Sequence, residues 1–193
     1  MGREFELKFR ATPDLLGSLQ AAFPGDWQRS VMRTTYYDTP AGDLSRRKWT
    51  LRHRLEGDLD VCTLKTPAQG GARGEFEVHT PDIREAIPML CKLSGFEELA
   101  ALTASGVMEV CGAAFTRLAK TVSAPGCTAE LALDQGKLLG GGRETALCEV
   151  EVELKSGSEE AARAFALTLA ARFGLQEEFK SKFRRALDLA KGE

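Results

Sequence analysis

The sequence predicts an α+β fold in which a β-sheet closes on itself, with charge lining its interior and helices covering its outside. Three observations carry that expectation. First, Glu4-Phe5-Glu6-Leu7-Lys8 alternates strictly between charged and apolar residues. A strand points successive side chains to opposite faces, so Glu4, Glu6 and Lys8 share one face while Phe5, Leu7 and Phe9 share the other. Second, the same alternation recurs at Arg52 and Arg54, at Arg73, Glu75 and Glu77, at Glu130 and Asp134, and at Glu149, Glu151 and Glu153. One charged strand face is ordinarily solvated. Several of them, mixed in sign and each backed by an apolar face, suggest charges turned inward. Third, capped stretches with helical apolar spacing separate the strands and supply the cover.

The elements follow in order. After the first strand, Thr12-Pro13-Asp14 starts a helix with Leu15, Leu16, Leu19, Ala22 and Phe23 at helical spacing. Pro24-Gly25-Asp26 stops it. Residues 27–37 read as a strand, and Asp38 to Gly42 as a turn. Trp49 to Leu55 and Asp60 to Thr66 read as a hairpin across Glu56-Gly57-Asp58. A glycine-rich loop from Gln69 to Gly74 leads into the strand Glu75-Phe76-Glu77-Val78. Thr80-Pro81-Asp82 starts a second helix through Leu90, and Gly95 to Leu102 gives a third. Strands follow at Phe115 to Val122 and Thr128 to Asp134, with Gln135-Gly136 and Gly140-Gly141-Gly142 read as turns. Leu147 to Lys155 is the clearest strand of the second half. Ser158 with Glu159 and Glu160 caps a helix ending near Phe173 and Gly174. A last basic helix includes Lys180, Lys182, Arg184 and Arg185. No linker or fixed-period repeat divides the chain, so residues 1–193 are expected to form one domain.

Composition narrows the function. Lys and Arg number 26 and Asp and Glu 28, a net charge of −2. A general nucleic-acid or membrane-surface binder carries a basic excess, so neither partner is expected. The N-terminus is charged at once and lacks the apolar core of a signal peptide. Glu6 stands where a myristoylation site needs Ser or Thr. Five cysteines without CxxC spacing, Cys62, Cys91, Cys111, Cys127 and Cys148, read as free thiols in a reducing cytoplasm.

The charged rows have chemistry of two kinds. Glu4 with Glu6, and Glu149 with Glu151 and Glu153, place carboxylates about 7 Å apart along one strand face. Hard cations such as Mg²⁺ or Mn²⁺ take oxygen ligands of this kind and usually keep waters or substrate phosphate oxygens. Which two of Glu149, Glu151 and Glu153 would bind stays open. Arg52, Arg54, Lys65, Arg73, Arg117 and Lys182 form the basic set, suited to phosphate oxygens. The glycine runs carry no Lys-Ser or Lys-Thr and make no P-loop.

These motifs resemble a known family. Glu4-x-Glu6-x-Lys8 resembles the ExExK signature of the CYTH superfamily, the triphosphate tunnel metalloenzymes. Tyr36-Tyr37-Asp38-Thr39-Pro40 with Leu51-Arg52-His53-Arg54, then Thr63-Leu64-Lys65 and Arg73-Gly74-Glu75-Phe76-Glu77, are similar to its next segments. Phe115-Thr116-Arg117, Asp134-Gln135-Gly136, Glu149-Val150-Glu151 and Ser181-Lys182-Phe183-Arg184-Arg185 follow in the family's order. Among its members the chain looks most like bacterial inorganic triphosphatases.

The resemblance implies a closed eight-stranded antiparallel β-barrel, a tunnel with helices outside. It implies phosphate contacts from Lys8, Arg52, Arg54, Lys65, Arg73, Arg117, Lys182 and Arg185. Mg²⁺ or Mn²⁺ would be held among Glu4, Glu6, Glu149, Glu151 and Glu153. Lys8, Arg52, Arg54, Glu75, Glu77 and Asp134 form the implied catalytic set, the three acidic members orienting basic side chains or water. The implied activity is metal-dependent hydrolysis of a small-molecule triphosphate, inorganic triphosphate above all. Alternatives within the fold are a class IV-type adenylate cyclase, a thiamine triphosphatase and a nucleoside triphosphatase; outside catalysis, a polyphosphate or nucleotide binder. Oligomeric state stays open between monomer and homodimer.

Overall fold

The structure is a computed structural model that describes residues 5–69 and 72–192, the side chains of residues 68, 69, 72 and 73 excepted. Its strands are β1 (Glu6–Arg10), β2 (Gln28–Asp38), β3 (Thr50–Glu56), β4 (Leu59–Gln69), β5 (Ala72–Val78), β6 (Met108–Ala124), β7 (Cys127–Gly140), β8 (Arg143–Gly157) and β9 (Gln176–Glu177). The helices are α1 (Pro13–Ala22), α2 (Asp43–Arg46), α3 (Ile83–Ser94), α4 (Glu98–Leu102), α5 (Glu159–Phe173) and α6 (Lys182–Lys191). Local chemistry sets the helix starts. Thr12, Asp82, Ser158 and Ser181 each accept a hydrogen bond from a backbone N–H of the first turn of α1, α3, α5 and α6 respectively. Among the described residues no helix is long and apolar enough to cross a membrane.

All the strands pair antiparallel in one nine-stranded sheet, in the order β5-β4-β3-β2-β6-β7-β8-β1-β9. The expected eight-stranded closed barrel is therefore corrected. The sheet curls until β5 and β1 line one cavity, yet no ladder joins its two ends among the described residues. The free edge of β1 is taken instead by β9, with Phe9 opposite Glu177 and Arg10 opposite Gln176.

Three apolar clusters hold the fold. Leu7, Phe9, Leu131, Leu133, Val150 and Val152 pack beneath α1 and α5 on the convex face. Leu51, Cys62, Leu64, Phe76 and Val78 pack beneath α2, α3 and α4. The third cluster includes Met32, Tyr36, Ala113, Phe115 and Leu138 with Ala186 of α6, and Phe183 and Leu187 pack against it. Ala113 and Phe115 share the strand face of Arg117, which lines the cavity. Helix α6 thus packs on the concave face, and only the other five helices follow the expectation of an outer cover. Its close approach depends on Gly140, where a Cβ would lie 2.3 Å from the Ala186 carbonyl oxygen.

One further expectation changes. Gln135-Gly136 is not a turn but lies inside β7. Gly136 stands opposite Phe115, and a Cβ there would lie 2.2 Å from the Ala114 oxygen and 2.5 Å from the Phe115 Cα. Glycine inside a strand marks such a close backbone approach. The short helix α2 follows the expected turn at Asp38 to Gly42, in a stretch to which the sequence reading assigns no element. The Asp38 carboxylate accepts hydrogen bonds from the backbone N–H groups of Thr39, Leu44 and Ser45, which tie the turn into a helical start.

Candidate active site in the charged cavity

The concave face encloses a cavity of about 790 Å³. Lys8 of β1, Arg52 and Arg54 of β3, Lys65 of β4, Arg117 of β6 and Lys182 of α6 line it with cations. Glu6, Glu75, Glu77, Glu151 and Glu153 line it with carboxylates, and Glu56 and Lys155 join them. Strand alternation explains most of the gathering, because Glu6 and Lys8, Arg52, Arg54 and Glu56, Glu75 and Glu77, and Glu151, Glu153 and Lys155 each sit two positions apart on one strand, while Lys182 arrives on α6.

The inner end is a buried ion network. Arg117 Nε and Nη2 donate to the two oxygens of Asp134 at 2.8 Å each, and Nη2 also donates to Glu151. Lys182 Nζ lies 2.6 Å from Glu151 Oε1, 2.9 Å from Asp134 Oδ2 and 2.5 Å from Glu149 Oε2. The Glu149 Oε2 contact is one of charge, since its direction makes no hydrogen bond. Arg185 donates to Glu149 Oε1 and reaches Glu178, which in turn holds Arg10 at 2.6 Å. Asp134 and Glu149 are fully buried.

Burial and charge compete at each of these groups. Burial works against charge on Glu151, but Lys182 and Arg117 outweigh it and hold the carboxyl well below the usual range. For Lys182 burial lowers the pKa, and the facing Glu151, Asp134 and Glu149 carry it far above the ordinary lysine value. Burial dominates at Glu149 and pushes its pKa up despite Lys182 and Arg185.

Arg54 differs from its neighbours. It is 9% exposed, and its Nε donates to Thr34 Oγ1 at 2.9 Å. Among the described residues no carboxylate pairs with it. Burial, Arg52 and Arg117 lower its pKa to about 10. Its guanidinium sits 5.7 Å from the centroid of the Phe115 ring. Nearer β5, Arg52 Nη2 lies 3.4 Å from Glu75 and 3.7 Å from Glu77, and Lys65 Nζ lies 3.0 Å from Glu75.

The carboxylates fall into two groups. Asp134, Glu149 and Glu151 each bring one oxygen within 4.8 Å of the others. All are hard oxygen donors, a set that fits Mg²⁺ or Mn²⁺. Lys182 already places a cation among them. Glu6 and Glu153 face each other across the β1–β8 pairing and both line the cavity, with Lys155 Nζ 2.9 Å from Glu153.

A family model, the CYTH domain, matches residues 2–187. The chain belongs to the CYTH domain family. The inorganic triphosphatase of Haemophilus influenzae is 32% identical to this CYTH chain over 164 residues, 82% of the chain and 47% of that protein. The chain therefore spans about half the length of that relative. A candidate adenylate cyclase of Bacillus halodurans has a similar structure, with a TM-score of 0.68 at 20% identity, covering 96% of this chain and 98% of that one. A candidate adenylyl cyclase of Hippeastrum, described as having a dominant triphosphatase activity, scores 0.64 at 18% identity, covering 100% and 97%. At these identities the likeness is one of fold.

Within this CYTH fold the cavity brings together Lys8, Arg52, Arg54, Lys65, Arg117, Lys182, Glu6, Glu75, Glu77, Glu151 and Glu153. Asp134, Glu149 and Arg185 stand behind the wall and hold Arg117 and Lys182 in place, directly or through one another. Glu4 and the Arg73 side chain lie outside the described residues. Sequence reasoning quotes Tyr36 and Phe115 within motifs but gives no role to either, nor to Thr34, Glu56, Lys155 and Glu178. Phe115 was within reach of it, two positions from Arg117 on the same strand face.

Proposed function

We propose that this chain hydrolyses a small-molecule triphosphate, inorganic triphosphate above all, in a divalent-metal-dependent reaction inside the charged cavity. The observation that carries the reading is Arg54, a buried guanidinium with no carboxylate partner among the described residues, flanked by Arg52 and Arg117. Such a charge is costly unless an anion arrives. A linear polyanion held along Arg54, Arg52, Lys65, Lys8 and Lys182 satisfies it, and the Haemophilus influenzae relative carries the matching name.

Lys8, Arg52, Arg54, Lys65, Arg117 and Lys182 bind the phosphate oxygens, with Arg73 proposed alongside them. Glu75 holds Arg52 and Lys65 in orientation, Glu77 supports Arg52, and Asp134 fixes Arg117. Arg185 acts from behind, through Glu149. Glu6, Glu151 and Glu153 are the cavity carboxylates that would hold Mg²⁺ or Mn²⁺, with Glu4 proposed beside them, while Glu149 anchors Lys182. The ion supplies charge neutralisation at the phosphate oxygens when bound. The protein contributes position and electrostatic stabilisation, with no covalent intermediate. The Tyr36 ring at the cavity wall is not open to stack on a base: it is 3% exposed and packs on Phe183 with centroids 5.0 Å apart. We place the activity in the cytoplasm, in keeping with five cysteines that are free thiols.

The test is phosphate release from inorganic triphosphate with Mg²⁺, with Mn²⁺ and with a chelator, for wild type and Arg54→Leu. Metal-dependent release that collapses in the variant supports the reading. Equal release with the chelator, or an Arg54→Leu enzyme as active as wild type, overturns it.

A further inference from the structure

Phe115 sits at the centre of three cations. The Arg54 and Arg117 guanidinium carbons lie 5.7 and 5.9 Å from its ring centroid, and Lys182 Nζ lies at 5.3 Å. Each falls within the distance at which a ring's π face attracts a cation. The three come from β3, β6 and α6, so only the folded sheet and helix together assemble them. Phe115 is 4% exposed, and Gly136 opposite it lets the two strand backbones approach without a competing side chain.

The three cations are not equivalent. Arg117 and Lys182 are held by Asp134, Glu149 and Glu151. Arg54 has Thr34 and the ring alone among its described contacts. Without attraction from the ring, repulsion by Arg52 and Arg117 and the pull of Glu151 would draw Arg54 toward a carboxylate. Its charge would then be spent inside the protein before any substrate arrived.

We propose that Phe115 is a positioning residue: its π face holds Arg54, Arg117 and Lys182 as one cluster and keeps Arg54 free to receive an anion. The inference deepens the triphosphate reading and rests on it for the identity of the anion. The ring touches no phosphate itself. It acts by pre-organising the groups that do, so affinity depends on its electrons as well as its shape.

The experiment replaces Phe115 with mono-, di- and trifluorophenylalanine, which keep the ring's shape while draining its π face. Two quantities are followed. One is the hydrogen-exchange rate of Arg54 Nε–H in the ligand-free protein. The other is the Kd for inorganic triphosphate without divalent metal, so that nothing is turned over. We expect exchange to quicken stepwise with each fluorine, and Kd to rise stepwise by roughly tenfold across the series. Phe115→Leu, which lacks a π face altogether, should bind at least as weakly as the trifluoro variant. A flat Kd across the fluorinated series overturns the positioning role, whatever Phe115→Leu does. Should wild type fail to bind triphosphate at all, the triphosphate reading falls, and the exchange series alone decides whether the ring holds Arg54.

Discussion

Lys182 Nζ lies 2.6 Å from Glu151 Oε1, at the point where α6 enters the concave face of the sheet. Sequence distance does not suggest the pair, because one residue belongs to β8 and the other to the last helix. The contact joins the helix to the inner end of the ion network, where Asp134 and Glu149 also meet the amine.

Lys182→Met keeps side-chain length but strips three buried carboxylates of their amine. Removing one partner of a buried pair costs about 3–5 kcal/mol, or roughly 10 °C in melting temperature for a chain of this size. The pH dependence should also change sign. In wild type Glu151 is depressed, so its contribution is present above the ordinary carboxylate value and is lost as pH falls through the folded pKa. In the variant the charged form is disfavoured, the folded pKa rises, and stability is lost as pH rises. Thermal melts between about pH 4 and pH 8 check this. A deficit no larger at the upper end contradicts it.

Arg54→Leu should separate stability from function. The folded state lowers the Arg54 pKa to about 10, so folding disfavours its charge at neutral pH. The shift corresponds to a cost on the order of 3 kcal/mol. For a base with a depressed folded pKa, stability rises as pH climbs through that value toward the unfolded one. The variant is expected to melt at or above the wild-type temperature, with triphosphate affinity down by one to two decades, the loss of a charge-assisted contact of about 1.5–3 kcal/mol. Calorimetry on one protein preparation reads both. A variant that melts well below wild type while binding normally would contradict the assignment.

Much of this was legible as strand alternation. Arg52 with Arg54, Glu75 with Glu77, and Glu151 with Glu153 all face the cavity as their spacing predicts. Other features depend on relations between strands that spacing does not encode. Gln135-Gly136 has the composition of a turn, and only its pairing with Phe115 shows why glycine is needed there. The amphipathic pattern of α6 reveals an apolar face but not which side of the sheet receives it. Closure is a relation between the two ends of the sheet that no single strand's pattern records, and among the described residues the edge of β1 pairs with β9 at Phe9 and Arg10. That no carboxylate among the described residues pairs with Arg54 depends on its surroundings in the fold, and no motif records it.

Gly140→Ala should act on the site from a distance. The new Cβ would meet the Ala186 oxygen at 2.3 Å and the Ala190 nitrogen at 2.8 Å, so α6 must move and carry Lys182 with it. Turnover and melting temperature should both fall. Gly142→Ala is the comparison, since its φ of +72° is strained but nothing lies within 4 Å of its Cβ. It should cost about 1 kcal/mol and leave turnover intact. Equal turnover losses in the two variants would detach α6 from the site.

Glu6→Gln and Glu153→Gln remove charge while keeping shape. Both residues line the cavity, facing each other across β1 and β8. Mn²⁺ affinity, read from the ion's paramagnetic signal during titration, should fall at least tenfold in each variant, with melting temperature within a few degrees of wild type. Unchanged Mn²⁺ binding in both would remove these carboxylates from the proposed metal site.

The most direct measurement is a pair of specificity constants. Let kcat/KM be determined for inorganic triphosphate and for ATP, under one metal and in one enzyme preparation, with all products identified. A cavity that reads only phosphate oxygens gains nothing from a nucleoside and must accommodate its bulk. Inorganic triphosphate should therefore win by at least tenfold and yield phosphate with pyrophosphate. Preference for ATP, or cyclic AMP as its main product, would contradict the account.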